Sequence, residues 1–228
     1  MDPRYSRNIP ALTEDECALL RQKRVLVVGC GGLGGHIIDQ LTRIGVGHLR
    51  VVDGDVFEPS NLNRQLLSCV PLLGTSKAQA AAEHVSRVNP EMDVEAAPVF
   101  LTEENVGKLV ADCDIVMDAL DNSHSRKILA AACAEAGIPY VYGAISGWVA
   151  QAAVSMPGDD LIELLFPEEV TILDKSVLAF TPAICASLQV SLCVKLLAGR
   201  PVDAGTVYHF DILNLEFETI PFCVIYTC

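Results

Sequence analysis

Three stretches of this sequence gather residues able to hold a polyphosphate. The first is "VGCGGLGG", Val28 to Gly35. Gly29, Gly31 and Gly34 stand at the spacing G-x-G-x-x-G, with Gly32 between them. Glycines there allow a tight turn and a close backbone approach to phosphate. The helix that follows adds free N–H groups and partial positive charge. Asp53, nineteen positions beyond Gly34, stands where a carboxylate that grips ribose hydroxyls belongs.

The second stretch is "DGDVFEPSNLNRQ", Asp53 to Gln65, followed by Lys77 after "GTS". It offers Asp53, Asp55, Asn61 and Arg64. Guanidinium, amide and ammonium groups can hold the phosphate oxygens of a triphosphate at its reacting end. Taken alone, Arg64 or Lys77 reads as ordinary charge on a solvated loop. The third stretch is "DALDN", Asp118 to Asn122. Asp121, just past the carboxyl end of a strand, can support magnesium on the phosphates. Asp121 or Asn122 can equally cap the next helix, and the two roles are compatible. A basic pair, Arg4 and Arg7 in "RYSR", reads as a fraying terminus or as an arginine delivered to phosphate by a neighbouring subunit.

These residues need a frame. Arg24 to Gly29 reads as a strand buried on both faces, Leu33 to Ile44 as a helix and Leu49 to Asp53 as the next strand. That is a βαβ unit of about thirty residues. The loop 54–75 is long, as functional loops often are. Helical spacing over Lys77 to Val88, a strand in "DVEAAPVF" and a helix over Thr102 to Leu109 continue the alternation. A strand over Asp114 to Leu120, a helix in "RKILAAACAEAG" and a strand in "PYVYGAIS" extend it. The expected fold is α/β, a Rossmann-like, doubly wound and mostly parallel sheet.

After Gly147 "VAQAAVSM" is expected to pair antiparallel, and Asp159 to Lys175 to be irregular and acidic. Pro182 to Leu197 should form a helix, and "TVYHFDILNLEFETIP" a closing hairpin turning near Leu213 and Asn214. Antiparallel strands thus extend the sheet at its C-terminal side. Residues 11–22 read as a short helix with Thr13 and Glu16 in a capping box. The chain is read as one domain, 1–228. It has an N-terminal helical arm (1–23), a nucleotide-binding core (24–147) and a C-terminal sheet extension (148–228).

Hydrophobic residues make up 51% of the 228, enough for a sizeable core. A net charge of −13 argues against broad nucleic-acid binding. "MDPRYSRNIP" has no apolar leader pattern. The apolar run Pro182 to Gly199 is interrupted by Ser187, Gln189, Ser191 and Lys195, and so reads as a buried helix before a membrane span. Nine scattered cysteines without a C-x-x-C read as buried, reduced thiols in a cytoplasmic protein.

The combination of "RYSRN", "VLVVGCGGLGG", "GVGHLRVVDGDVFEPSNLNRQ", "GTSKAQAA", "VNPE" and "DIVMDALDNSHSRK" resembles the MoeB/ThiF/HesA family. These are bacterial relatives of ubiquitin-activating enzymes. The ending "SLQVSLCVKLLAG" and "YHFDILNLEFETIP" also looks like the family's. The resemblance implies an adenylyltransferase that uses ATP and magnesium. Its substrate is the C-terminal glycine of a small ubiquitin-like sulfur-carrier protein ending in Gly-Gly. By family position, Gly31 and its neighbours line the nucleotide, and Asp53 holds ribose. Asn61, Arg64 and Lys77 contact phosphates, and Asp121 supports magnesium and the α-phosphate. Arg7 matches an arginine that reaches the other subunit's ATP across a homodimer interface.

Two departures qualify the resemblance. Where many members carry the first of two zinc-binding C-x-x-C pairs, this chain has Leu161 and Leu164, and Cys223 and Cys228 are too far apart for the second. No four-thiolate zinc site is expected. Near the expected place of a thiol that receives the activated carrier stands Ile172. Cys185 reads as a buried core thiol. Adenylation without a thiol relay is therefore expected. Activation of another acyl group, on a peptide or a modified transfer RNA, is an alternative, as is a non-catalytic nucleotide-binding scaffold. A dehydrogenase has no need of Asn61, Arg64 and Lys77.

Overall fold

The computed structural model describes residues 2–167 and 176–222. The valine-rich run Arg24–Val28 forms strand β1, and Val25 to Val28 are buried, as a strand covered on both faces requires. Around it the chain alternates. Helix α1 (Glu14–Leu20) precedes β1, and α2 (Gly32–Ile44), β2 (His48–Val52), α3 (Lys77–Val88) and β3 (Asp93–Ala97) follow. Next come α4 (Glu103–Val110), β4 (Ile115–Asp118), α5 (Ser123–Ala136) and β5 (Tyr140–Ser146). The remaining elements are β6 (Val149–Ser155), α6 (Leu161–Leu165), α7 (Phe180–Leu197), β7 (Thr206–Asp211) and β8 (Glu216–Pro221).

All eight strands form one sheet in the order β3-β2-β1-β4-β5-β6-β7-β8. The pairs from β3 to β5 are parallel, and those from β5 to β8 antiparallel. This is the Rossmann-like sheet with an antiparallel extension that the sequence predicts. The strand order reverses between the parallel neighbours β1 and β4, the place where sheets of this kind open a crevice at the carboxyl ends of their strands. One apolar core carries α2, α3 and α7, and the other carries α4, α5 and α6. Helix α7 is apolar and long enough to cross a bilayer, but ten of its eighteen residues are buried, and it packs on α2, β5 and β6.

Local chemistry sets the boundaries. Thr13 and Glu16 form the expected capping box on α1. Helix α5 starts three residues before the predicted "RKIL", because Asn122 caps it there. Helix α7 starts at Phe180, so Pro182 falls in its first turn, where no intrahelical N–H bond is lost. Leu161–Leu165 is helical where irregular chain is expected, because Leu161 and Ile162 bury themselves against the core beside α5. The loop 54–75 is tied down. Phe57 is buried, its N–H donates to the Thr75 carbonyl (3.0 Å), and Val56 bridges to Ser76.

Candidate functional site

The register aligns the carboxyl ends of three strands, since Val28 pairs with both Val52 and Asp118. Gly29, Asp53 and Ala119 therefore leave the sheet side by side. Gly29 has φ +99°, and a Cβ there would lie 2.5 Å from the Ala119 carbonyl oxygen. A Cβ on Gly34 would overlap the Gly29 carbonyl. Only glycine permits both the turn and the close seating of α2. Gly31 is the N-cap of α2 and Gly32 its first residue, with no side-chain cap bond. The first-turn N–H groups thus face the crevice without an intrahelical partner.

Asp53 braces this turn. One carboxylate oxygen accepts the Cys30 N–H (2.7 Å) and the other the Asp55 N–H (2.8 Å). Burial pushes its carboxyl up, while those two N–H groups and Lys77 pull it down. Each oxygen keeps a second lone pair. Lys77, the first residue of α3, is buried, and its ammonium lies 3.0 Å from the exposed Asp55 carboxylate. Its N–H also donates to the Asp55 carbonyl (3.0 Å), which draws α3 against the loop.

Asn61 is buried, with its side-chain oxygen accepting the Glu58 N–H (3.0 Å) and its amide nitrogen making a long bond to Ser60 Oγ (3.4 Å). It shapes the short turn Pro59–Asn61 and keeps one unused donor hydrogen. Arg64 donates to the Ser60 carbonyl (2.9 Å) and to Asn63 Oδ1 (2.8 Å). Its Cγ lies 3.6 Å from where a Cβ on Gly32 would stand, so its stem crosses the start of α2. It has no carboxylate partner among the described residues.

At the next strand end the two candidate caps separate. Asn122 caps α5, its Oδ1 accepting the Ser125 N–H (2.8 Å). Asp121 is exposed and accepts only a long bond from the Asn122 side chain (3.3 Å). The loop beneath it is bolted down. Asp118, fully buried, accepts the Leu120 N–H (2.8 Å) and the Tyr140 hydroxyl (2.6 Å), and forms an ion pair with Arg126. Arg126 also donates to the carbonyls of Leu120 and Gly143. Gln189 Nε2 donates to the carbonyls of Asp118 (2.8 Å) and Val141 (3.1 Å). Sequence reasoning misses this clamp. Its signal is the charge of Asp118 closing an otherwise apolar strand.

A second residue it misses is Gln65, 6% exposed, whose Oε1 has no hydrogen-bond partner. Nothing in "SNLNRQ" distinguishes it from a surface amide.

Arg7 stands apart. Its short helix, Pro3–Asn8, is anchored by Tyr5, which is buried against Gly45 at the C-terminal end of α2 and accepts a bond from Asn89 (2.8 Å). The glycine turn is at the other end of that thirteen-residue helix, about 20 Å away at 1.5 Å per residue. Arg7 is exposed and has no ion pair among the described residues. The fold therefore gathers Gly29, Gly31, Gly32, Gly34, Asp53, Asp55, Asn61, Arg64, Lys77, Asp121 and Asn122 around one crevice, and leaves Arg7 out of it.

Of the seven described cysteines six are buried as expected, and Cys69, on the loop 54–75, is exposed instead. Cys185 is buried, burial pushes its thiol up to about 12, and it donates to the Gln151 carbonyl (3.2 Å). Leu161 is in the core and Leu164 half-buried on α6. Ile172, Cys223 and Cys228 lie outside the described residues.

Residues 5–223 match the ThiF family. This chain belongs to the ThiF family. It is 38% identical over 229 residues to the SAMP-activating enzyme E1 of Haloferax volcanii, covering 96% of this chain and 84% of that one. It is 32% identical over 224 residues to the molybdopterin-synthase adenylyltransferase of Escherichia coli (strain K12), covering 94% and 90%. Several other relatives are longer, and the chain spans 59% of their length. The crystal structure of E. coli MccB with MccA-N7isoASN superposes with a TM-score of 0.82 over 97% of this chain and 72% of that one, at 20% identity, a likeness of fold. By family, this ThiF chain is an adenylyltransferase.

Proposed function

We propose that this ThiF-family chain uses ATP and magnesium to adenylate the C-terminal glycine of a small ubiquitin-like sulfur-carrier protein ending in Gly-Gly. The observation that carries the reading is Asp121. It is exposed two residues past Ala119, which abuts Gly29 of the glycine turn, with its carboxylate almost unengaged, while Asn122 takes the cap. The surrounding donors fit a triphosphate: uncapped N–H groups at the start of α2, the Arg64 guanidinium and the Lys77 ammonium. Arg64 lies across the first turn of α2, and Lys77 exchanges its contact with Asp55 for phosphate. Asp53 and Asn61 offer their free lone pairs and hydrogen to ribose and phosphate. Magnesium, when bound, supplies charge neutralisation on the phosphates, and Asp121 is the residue to hold it.

In the reaction a carboxylate oxygen of the carrier's last glycine bonds to the α-phosphorus. The bond to the bridging oxygen breaks, and pyrophosphate leaves with its electron pair. The chain contributes positioning and charge compensation. The buried Cys185 takes no part, so sulfur comes from a separate protein. Arg7, about 20 Å of helix from its own glycine turn, serves the other subunit's site in a homodimer. The protein acts in the cytoplasm, and its charge of −13 suits a protein partner better than nucleic acid.

The test is ATP–pyrophosphate exchange. Label should enter ATP only when a carrier ending in Gly-Gly is present, and removal of the last glycine should stop it. Exchange that ignores the carrier, or none with any carrier encoded beside the gene, would overturn the reading.

A further inference from the structure

Gln65 and Gln189 are the two described residues whose buried side-chain oxygen has no hydrogen-bond partner; Gln189 spends its amide nitrogen in the floor, and Gln65 stands at the rim of the crevice. Buried amides are almost always bonded, and a bare one is destabilising. The backbone of Gln65 is fully engaged, its N–H donating to the Asn61 carbonyl (2.9 Å) and its carbonyl accepting Ser68 (2.7 Å). The side chain alone is left over. Its position is specific. Three residues of this loop rest on the glycine face of α2: Arg64 near Gly32, Leu67 near Gly35, and Gln65 near Gly31. Gln65 is the one at the N-cap, and its Nε2 would lie 3.5 Å from a Cβ on Gly31. The amide nitrogen is thus the end turned toward the uncapped first turn of α2.

We propose that Gln65 is a ligand of the nucleotide, donating from Nε2 to a phosphate oxygen held at the N-terminus of α2. A neutral amide adds direction without charge, beside backbone N–H groups that point the same way. This bond uses the donor end of the amide, and Oε1, an acceptor, gains nothing from the phosphate. This rests on reading the crevice as an ATP site.

The experiment pairs two measurements on the full chain: calorimetric affinity for ATP with magnesium, and the melting temperature without ligand. In Gln65→Met the volume is kept and the bare amide removed. The variant is expected to melt at or above the wild-type temperature and to bind ATP roughly tenfold more weakly. Gln65→Glu, which brings a negative charge toward phosphate, is expected to bind more weakly still. Wild-type affinity in a folded Gln65→Met would overturn the role of Gln65 alone. A wild-type protein that does not bind ATP would overturn the underlying reading of the crevice, and this one with it.

Discussion

Asp118 and Asp121 are three residues apart and differ in every respect that matters. Asp118 is fully buried and saturated, held by Arg126, Tyr140 and the Leu120 N–H. Asp121 is exposed and nearly without partners. The contrast extends to two layers. The floor of the crevice is a network from β4, α5, β5 and α7 that saturates the Asp118 carboxylate, although Gln189 Oε1 within it has no partner among the described residues. The rim, formed by the glycine turn, Arg64, Gln65, Lys77 and Asp121, has open valences. A saturated carboxylate fixes a backbone, and an unsaturated one awaits a ligand. The rim can hold a geometry because the floor holds the rim.

The largest stability effect should come from breaking the floor. Asp118→Ala leaves Arg126 buried without its carboxylate, which should cost about 3–5 kcal/mol and lower the melting temperature by roughly 10 °C. Replacing both partners, Asp118→Leu with Arg126→Met, should recover much of that loss by thermal denaturation, because no uncompensated charge remains. A smaller loss in the single variant would mean that the floor is not what holds the rim.

An intermediate effect separates Arg7 from the crevice of its own chain. Arg7→Ala and Asp121→Ala should each be inactive alone. Mixed and allowed to exchange subunits, they should restore about a quarter of wild-type exchange, since half the dimers are mixed and each has one intact site. No restoration would place Arg7 in its own chain's site.

The smallest effect lies outside both layers. Arg200 hydrogen-bonds Glu16 and holds its carboxyl at about 2, below the ordinary 4.5. A depressed carboxyl contributes stability above its unfolded value, and that contribution is lost as pH falls through the folded one. The melting-temperature gap between wild type and Arg200→Ala should therefore be small at pH 6 and vanish towards pH 2.

The floor and the rim were unequally legible. Alternating apolar runs and caps announce the parallel half of the sheet, because each signal lies within its own segment. "GCGGLG", Asp53, Lys77 and "DALDN" likewise mark strand ends, and strand ends are where such sheets bind ligands. The division of labour between Asp118 and Asp121 is invisible locally. The partners that saturate Asp118 come from Arg126, Tyr140 and Gln189, which lie 8, 22 and 71 positions away. The bare amide of Gln65 shows only once α2 is seated beside it. Arg7's separation depends on Tyr5 packing at the far end of α2. The short helix α6 escapes because a single turn, LIELL, is too short to show a helical period beside Asp159 and Asp160, and its helical form goes with the burial of Leu161 and Ile162.

The most direct test of the rim is carrier-dependent ATP–pyrophosphate exchange by Asp121→Ala, measured beside its thermal melt. The melting temperature should stay close to wild type, because the side chain is exposed and the cap belongs to Asn122. Exchange should fall by at least about a hundredfold. Exchange near the wild-type rate in that folded variant would contradict the role given to Asp121.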